Sequence, residues 1–194
     1  MKLIFNDSVF HLTEQNIPCL IHGAEHSGSS FFTLALLTDL VMQEKKVLFF
    51  SASEKAQLNF MQLSLDQKNI GKIETVNDIR KEKMKQCLLV KADAVDLFFS
   101  ALQKVSDIEE RLIVIKNIEY LPESVFDAIA NRENVILSGN IDRCQFKQKI
   151  LEKNFKTKIL FSNFDAMMVN LPPLDQYEAI FLGQSTGGLI HVAS

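Results

Sequence analysis

The chain has 194 residues, of which 47% are hydrophobic, and its formal net charge is −3. This length suits one α/β domain that buries a core without metals or disulfides. The acidic balance argues against a dedicated nucleic-acid binder. The three cysteines have no CxxC spacing, which argues against a disulfide scaffold. No apolar run reaches about 18 residues, so we do not expect a membrane-spanning chain. Asn6 and Asp7 interrupt the apolar start, so we expect no signal peptide and a cytoplasmic protein.

Short apolar runs alternate with amphipathic stretches, a pattern typical of a parallel sheet covered by helices. Several runs are continuously apolar, as in strands that are buried on both faces. The strands are predicted at residues 19–22, 47–52, 87–90, 112–115, 135–138 and 158–161.

The helices are predicted at residues 29–45, 54–68, 76–85, 94–105, 123–130 and 142–154. The first of them is apolar nearly all round, so we expect it to lie deep in the fold.

The tail has shorter apolar segments, at residues 167–171, 177–182 and 189–192, separated by Pro172, Pro173 and the glycine-rich run 183–188. This pattern indicates an antiparallel hairpin or meander that extends the edge of the sheet over residues 166–194. No break in composition divides the chain, and we therefore expect a single domain over residues 1–194.

The loop between the predicted strand 19–22 and the predicted helix 29–45 follows a strand and opens a helix, as a phosphate-binding loop requires. Gly23 and Gly28 have the spacing of G-x-x-x-x-G-K-[ST], and Ser30 stands at the hydroxyl position that binds Mg²⁺. Ser29 replaces the lysine, so the loop lacks the ammonium that cancels phosphate charge, and Glu25 adds a negative charge. The alternative is that the two glycines only shape a tight turn.

A second segment, residues 111–121, looks like a Walker B strand whose metal-binding aspartate is replaced by Lys116. A lysine at that position would repel Mg²⁺. We expect a solvated residue at the end of the strand. The other interpretation is a cation near the place of the missing loop ammonium, able to bind an anion without Mg²⁺.

Residues 18–69 resemble the RecA/KaiC/RadA group of P-loop ATPases in three features: the glycine loop, the long apolar helix and the run from Lys45 to Glu54. The resemblance implies a three-layer RecA-like α/β fold with a mostly parallel sheet and a C-terminal antiparallel β-hairpin extension. In the active family a similar strand ends in one or two glutamates that activate water. Ser53 occupies the first of these places, and Glu54 remains at the second.

The tail resembles two further groups of proteins. Residues 171–174 and 187–190 are similar to those of catalytically silent RecA-like subunits, such as the accessory subunits of Elongator. Residues 177–182 resemble the closing hairpin of the FtsK/HerA group, a rival relative.

The sequence thus predicts a pseudo-ATPase, a non-catalytic RecA-like subunit that assembles with itself or with partner proteins. We expect no catalytic residue, no metal and no required cofactor, with residual ATP or ADP binding left open. The vestigial nucleotide site would consist of Gly23, Gly28, Ser29, Ser30 and Lys116.

Two alternative functions remain open. One is weak, unorthodox nucleotide binding and hydrolysis through Ser30, Glu54 and Lys116. The other is a nucleic-acid module that uses the basic segment 142–158, although an ordinary amphipathic surface helix explains that segment more simply. Its contact face would be Arg143, Lys147, Lys149 and Lys153.

Three further features have simpler explanations. His22 and His26 flank a strand–loop junction, where their spacing does not favour a metal site. Cys19 and Cys87 begin buried-type strands and are predicted to be packed thiols. A resemblance of residues 27–32 to the 5′-phosphosulfate loop of sulfotransferases is not matched by the layout downstream.

Overall fold

The computed structural model describes residues 2–5, 8–11, 14–24, 26–63, 67–161, 178–183 and 187–191. The strands are β1 (Lys2–Phe5), β2 (Ser8–His11), β3 (Cys19–His22), β4 (Val47–Ser51), β5 (Ile70–Ile73), β6 (Cys87–Val90), β7 (Leu112–Lys116), β8 (Val135–Gly139), β9 (Thr157–Leu160), β10 (Glu178–Leu182) and β11 (Gly187–His191). The α-helices are α1 (Ser29–Met42), α2 (Glu54–Leu63), α3 (Val76–Glu82), α4 (Val95–Lys104), α5 (Glu123–Asp127) and α6 (Lys147–Glu152). None of the helices in these ranges is long and apolar enough to cross a membrane.

All eleven strands belong to one sheet, in the order β2-β1-β11-β10-β9-β3-β8-β7-β4-β6-β5. The seven strands from β9 to β5 pair in parallel, while β10, β11, β1 and β2 pair antiparallel. This arrangement confirms the predicted α/β class, with a mostly parallel sheet and an antiparallel C-terminal extension. Because β8 pairs with both β3 and β7, the ends of β3 and β7 are separated by the width of one strand.

Helices cover both faces of the parallel part of the sheet. Along β4, Leu48 and Phe50 belong to one core cluster and Val47 and Phe49 to the other, as expected for a strand that is buried on both faces. The ring of Phe50 stacks on Phe98 of α4 at 4.6 Å, whereas Phe49 meets Phe60 of α2 edge-on at 5.5 Å. The three layers are thus α1 and α2, the sheet, and the remaining α-helices.

The first helix lies deep in the fold, as predicted. Its side chains Phe32 and Leu37 are fully buried against the face of the sheet that α2 also covers. The six predicted strands are confirmed with ends that shift by at most one residue.

Three strands were missed by the sequence interpretation: β1, β2 and β5. Each has four residues, and β5 contains Gly71 and Lys72, so none presents a long apolar run. Pairing with β11 and β6 places β1 and β5 in the sheet, and such long-range pairing has no local sequence signal. The predicted segment 167–171 lies outside the described residues.

The predicted helix 142–154 is confirmed only in part, because its start is wrong. A 3-10 turn at Ile141–Arg143 is followed by an extended Cys144, and α6 covers only Lys147–Glu152. Cys144 and Phe146 are both buried in the core, and Phe146 packs against Phe126 at 5.9 Å. Packing of these two side chains thus overrides the helical pattern. The predicted helix 54–68 is also shorter, because α2 ends at Leu63.

Candidate functional site

The glycine loop joins β3 to α1 and is tightly closed. Gly28 has φ 93°, a left-handed conformation that glycine adopts without strain, and it immediately precedes α1. A Cβ atom on Gly23 would clash with the Oγ of Ser27 and the Cβ of Ser29, so the loop leaves no room for a side chain there. Glu25 lies outside the described residues.

The first turn of α1 presents open hydrogen-bond donors. The backbone N–H groups of Ser30 and Phe31 have no acceptor among the described residues, and this turn contains no acidic residue. Ser29 is buried, and its Oγ accepts a hydrogen bond from the Oγ of Ser27 at 3.2 Å. The helix end therefore keeps the partial positive charge that favours anions.

Lys116, the last residue of β7, is 3% exposed. Its Nζ donates to the Oγ of Ser30 at 2.9 Å and lies 3.5 Å from the Oδ1 of Asn117. Our expectation of a solvated strand-end residue is wrong, because the side chain crosses the end of β8 toward α1 instead of extending into solvent. Burial lowers the pKa of Lys116 to about 8, although the charge of Glu119 opposes this effect.

Polar side chains at the ends of neighbouring strands support this arrangement. The Oγ1 of Thr33 lies 2.7 Å from the Oγ of Ser138 at the end of β8, and Ser51 of β4 donates to the Oδ1 of Asn117 at 3.1 Å. The sequence interpretation missed these four residues. For Ser51 and Ser138 a signal existed, because each is a polar residue near the end of an otherwise apolar strand.

Ser53 and Glu54, which the sequence analysis compared with catalytic glutamates, differ in placement. The Oγ of Ser53 accepts the N–H of Ala56 at 3.3 Å and so caps α2. Ser53 lines the cavity beside the glycine loop, whereas the exposed Glu54 lines a different, smaller cavity with Gln57 and Lys91. The structure thus does not bring Glu54 together with Ser30 and Lys116.

A cavity of about 560 Å³ lies between the glycine loop, the start of α1, α2 and the end of β7. Three of the residues that line it, His26, Lys55 and Lys116, are basic, and the described lining residues include no Asp or Glu. Of the five predicted site residues, all but Gly23 line this cavity. Four residues of the predicted site thus lie around one cavity, whose basic residues come from three different elements.

The predicted basic face is largely neutralised. Lys147 pairs with Asp142, and Lys149 pairs with Glu123 and with Asp127, the latter at 3.0 Å. The Nζ of Lys153 donates to the backbone carbonyls of Ala130 and Arg132, at 2.7 and 3.0 Å, and Arg143 also has a partner. These four residues therefore do not form a continuous face of free cations.

The histidines and cysteines of the sequence analysis lie in different surroundings. The Nδ1 of His22 accepts the N–H of Ile141 at 3.1 Å, and burial lowers the pKa of this imidazole to about 4. His26 lines the cavity instead. Cys19 and Cys87 are fully buried, as predicted, and burial raises the pKa of Cys87 to about 12.

Arg111 is buried in the core and forms hydrogen bonds within it. Its side chain is 1% exposed and donates to the carbonyls of Lys83, Lys85 and Gln86 and to the carboxylate of Asp107. It is therefore held inside the fold and not free to contact a ligand.

No protein-family profile and no curated protein sequence matches the chain. Its fold is similar to that of the genome packaging NTPase B204 from Sulfolobus turreted icosahedral virus 2 in complex with AMPPCP. The TM-score is 0.62 at 15% identity, with 94% of this chain and 100% of that chain covered. B204 from Sulfolobus turreted icosahedral virus, a DNA-packaging ATPase, gives a TM-score of 0.60 at 14% identity, with coverage of 94% and 100%.

EssC (ATPases 2 and 3) from Geobacillus thermodenitrificans gives a TM-score of 0.65 at 10% identity. That comparison covers 99% of this chain but 41% of the EssC chain, so this chain spans less than half of it. The similarity to these ATPases shows that the chain has a P-loop NTPase fold.

Proposed function

We propose that the protein is a non-catalytic P-loop subunit of the RecA-like type, a pseudo-ATPase that acts by assembling with itself or with partner proteins. The observation that carries the proposal is the hydrogen bond from Lys116 to Ser30 at 2.9 Å. In active P-loop NTPases the residues at these two positions, an aspartate and a hydroxyl residue, hold Mg²⁺ together. Here the ammonium contacts the hydroxyl directly, and its charge repels a divalent cation.

The other departures from an active site support the same conclusion. Ser29 stands in the place of the loop lysine and is buried within the loop, so it supplies no positive charge to a terminal phosphate. Ser53 caps α2, and Glu54 does not line the cavity. The described lining of the cavity therefore includes no carboxylate that could activate water.

An assembly role is supported by apolar side chains that remain exposed on α1 and α2, two helices that pack against each other. Phe31 and Met42 of α1 and Leu58 and Leu63 of α2 are all exposed. Exposed apolar side chains mark a protein interaction surface where they form a contiguous patch, and we propose that these four side chains do so. We therefore place the partner contact on the α1–α2 side of the molecule.

A nucleic-acid function has weaker support, because three of the four residues of the predicted basic face are held by carboxylates or backbone carbonyls. Cations that are already paired neutralise few phosphates of a nucleic acid and release few counterions, so they contribute little to its binding.

Measurement of ATP and GTP turnover with Mg²⁺ tests the loss of catalysis. We expect phosphate release no faster than in a protein-free control. Turnover that disappears in Ser30→Ala would overturn the proposal, since it would assign hydrolysis to this site.

Light scattering of the parent and of Leu58→Asp tests the assembly surface. Self-assembly through this surface is supported if the molecular mass of the parent rises with protein concentration and that of the variant stays at the monomer value. A parent that is monomeric at every concentration assigns the contact to a different protein.

A further inference from the structure

We propose that the cavity between the glycine loop and Lys116 is an oxyanion site that binds a phosphate group without a divalent metal ion. The inference deepens the proposed function: it rests on the loss of the Mg²⁺ site and names the ligand class of the same cavity. The ligand's phosphate could belong to a free phosphate or to a nucleotide, and both present the same chemistry to these residues.

The charges that line the cavity favour an anion over a metal complex. Lys55 and Lys116 contribute two ammonium groups, His26 contributes an imidazole, and the described lining includes no carboxylate. Mg²⁺ in proteins is usually held through one or two carboxylates. The cavity therefore offers cations to an oxyanion but lacks, in its described lining, the ligands that a divalent cation prefers.

The start of α1 adds directed donors. This helix has fourteen residues, no acidic residue in its first turn, and free N–H groups on Ser30 and Phe31 within the described part of the chain. Both residues line the cavity. Donors of this kind, together with the helix dipole, bind phosphate at helix N-termini.

The buried ammonium of Lys116 is an independent indication of a ligand. It is 3% exposed and has three N–H bonds, but its acceptors among the described residues are two neutral oxygens, on Ser30 and Asn117. No described carboxylate lies within ion-pair distance of it. The charge of Glu119 acts on this ammonium from outside ion-pair distance, but burial still lowers the pKa of Lys116. An oxyanion in the adjoining cavity would supply the direct counter-ion that the ammonium lacks among the described residues.

Isothermal titration calorimetry in EDTA tests the proposal with sodium pyrophosphate, inorganic phosphate and ATP as separate probes. We expect binding of one oxyanion per chain, with no gain in affinity when Mg²⁺ replaces EDTA. Similar affinities for pyrophosphate and ATP assign the site to free phosphates, whereas an affinity for ATP greater by about tenfold or more assigns it to nucleotides.

Lysine variants separate this site from general attraction to a basic protein. Lys116→Met should weaken binding by about tenfold or more, and Lys55→Met should weaken it less because Lys55 is exposed. Lys104→Met, at an exposed position on α4, is the matched control and should leave the affinity unchanged. Circular dichroism confirms that each variant is folded.

Three results would overturn the inference: no binding of any probe in EDTA, equal binding by the parent and Lys116→Met, or binding that requires Mg²⁺. These outcomes are distinct from those that test the loss of catalysis. Failure of oxyanion binding leaves a non-catalytic subunit intact, whereas turnover with Mg²⁺ overturns the non-catalytic proposal even if binding persists in EDTA.

Discussion

The Nζ of Lys116 lies 2.9 Å from the Oγ of Ser30, and this contact joins the end of β7 to the first turn of α1 across the end of β8. Under the proposed correspondence, these are the two positions that hold Mg²⁺ in active P-loop NTPases. Lys116 would then stand in place of the metal-binding carboxylate and put a positive charge next to the remaining ligand.

Replacing Lys116 with methionine should stabilise the fold near neutral pH. Burial lowers the pKa of Lys116 from its ordinary value of 10.5 to about 8 in the folded protein, so the protonated side chain is the destabilising form. As the pH rises from 8 to 10.5 the folded parent loses this proton before the unfolded chain does, and the parent becomes more stable. The free energy of unfolding of the parent should rise by up to about 3 kcal/mol over this pH range, and that of the variant should not.

Urea denaturation of the parent and Lys116→Met across this pH range measures the difference. Loss of the hydrogen bond to Ser30 offsets part of the gain at neutral pH. Stability curves that run parallel from neutral pH to pH 10.5 would contradict the effect of the buried charge.

Lys116→Asp should create Mg²⁺-dependent binding of ATP. The new carboxylate would end short of the Oγ of Ser30 because aspartate is shorter than lysine, which leaves space for a cation between the two ligand types that hold Mg²⁺ in active P-loop NTPases. Calorimetry with and without Mg²⁺ should show tightening by about tenfold in the variant and none in the parent. Lys116→Asn removes the cation without adding a carboxylate, and a similar Mg²⁺ dependence in that control would refute the explanation.

Protonation of His22 should contribute to unfolding in acid. Burial lowers the pKa of His22 from 6.5 to about 4, and the nearby charge of Asp142 only partly opposes this effect. As the pH falls from 6.5 to 4 the unfolded chain takes up the proton first. The free energy of unfolding therefore falls by up to about 3 kcal/mol. Protonation also removes the acceptor for the N–H of Ile141.

The comparison for this prediction is His22→Asn, whose amide oxygen can accept the N–H of Ile141 but does not titrate. We expect a flatter acid limb in its pH–stability curve, as measured by thermal unfolding. His26→Asn, at an exposed position, serves as the control. An acid limb that is equally steep in the parent and His22→Asn would count against a role for the buried imidazole.

Gly28→Ala should destabilise the protein by about 1 kcal/mol or more, because φ 93° at this position is strained for a residue with a Cβ. Gly28→Asn should cost less, since asparagine tolerates left-handed backbone better than alanine. Midpoints of denaturant unfolding give both values. Equal midpoints for the parent and Gly28→Ala would show that the loop relaxes without cost.

The sequence predicted much of the fold because its signals there are local. The continuous apolar runs of β3, β4 and β6 to β9 mark buried strands, and the spacing of Gly23 and Gly28 marks the turn into α1. Short strands gave no such signal: β1 and β5 are held by pairing with distant partners, which periodicity does not encode. The break between residues 143 and 147 was missed because burial of Cys144 and Phe146 outweighs helical spacing.

For the site, the sequence by itself determined which chemical groups are present: two glycines in the loop, a serine at position 29 and a lysine at position 116. We propose that the serine replaces the loop lysine and that the lysine replaces the metal-binding aspartate. Only the tertiary structure decided where that lysine lies. Ser30 and Lys116 are 86 positions apart in the sequence, and they meet because β3 and β7 both pair in parallel with β8, so that their ends lie at one edge of the sheet. Burial and the electrostatics of the cavity depend on that sheet order, since Coulomb interactions follow distance in space and not separation along the chain.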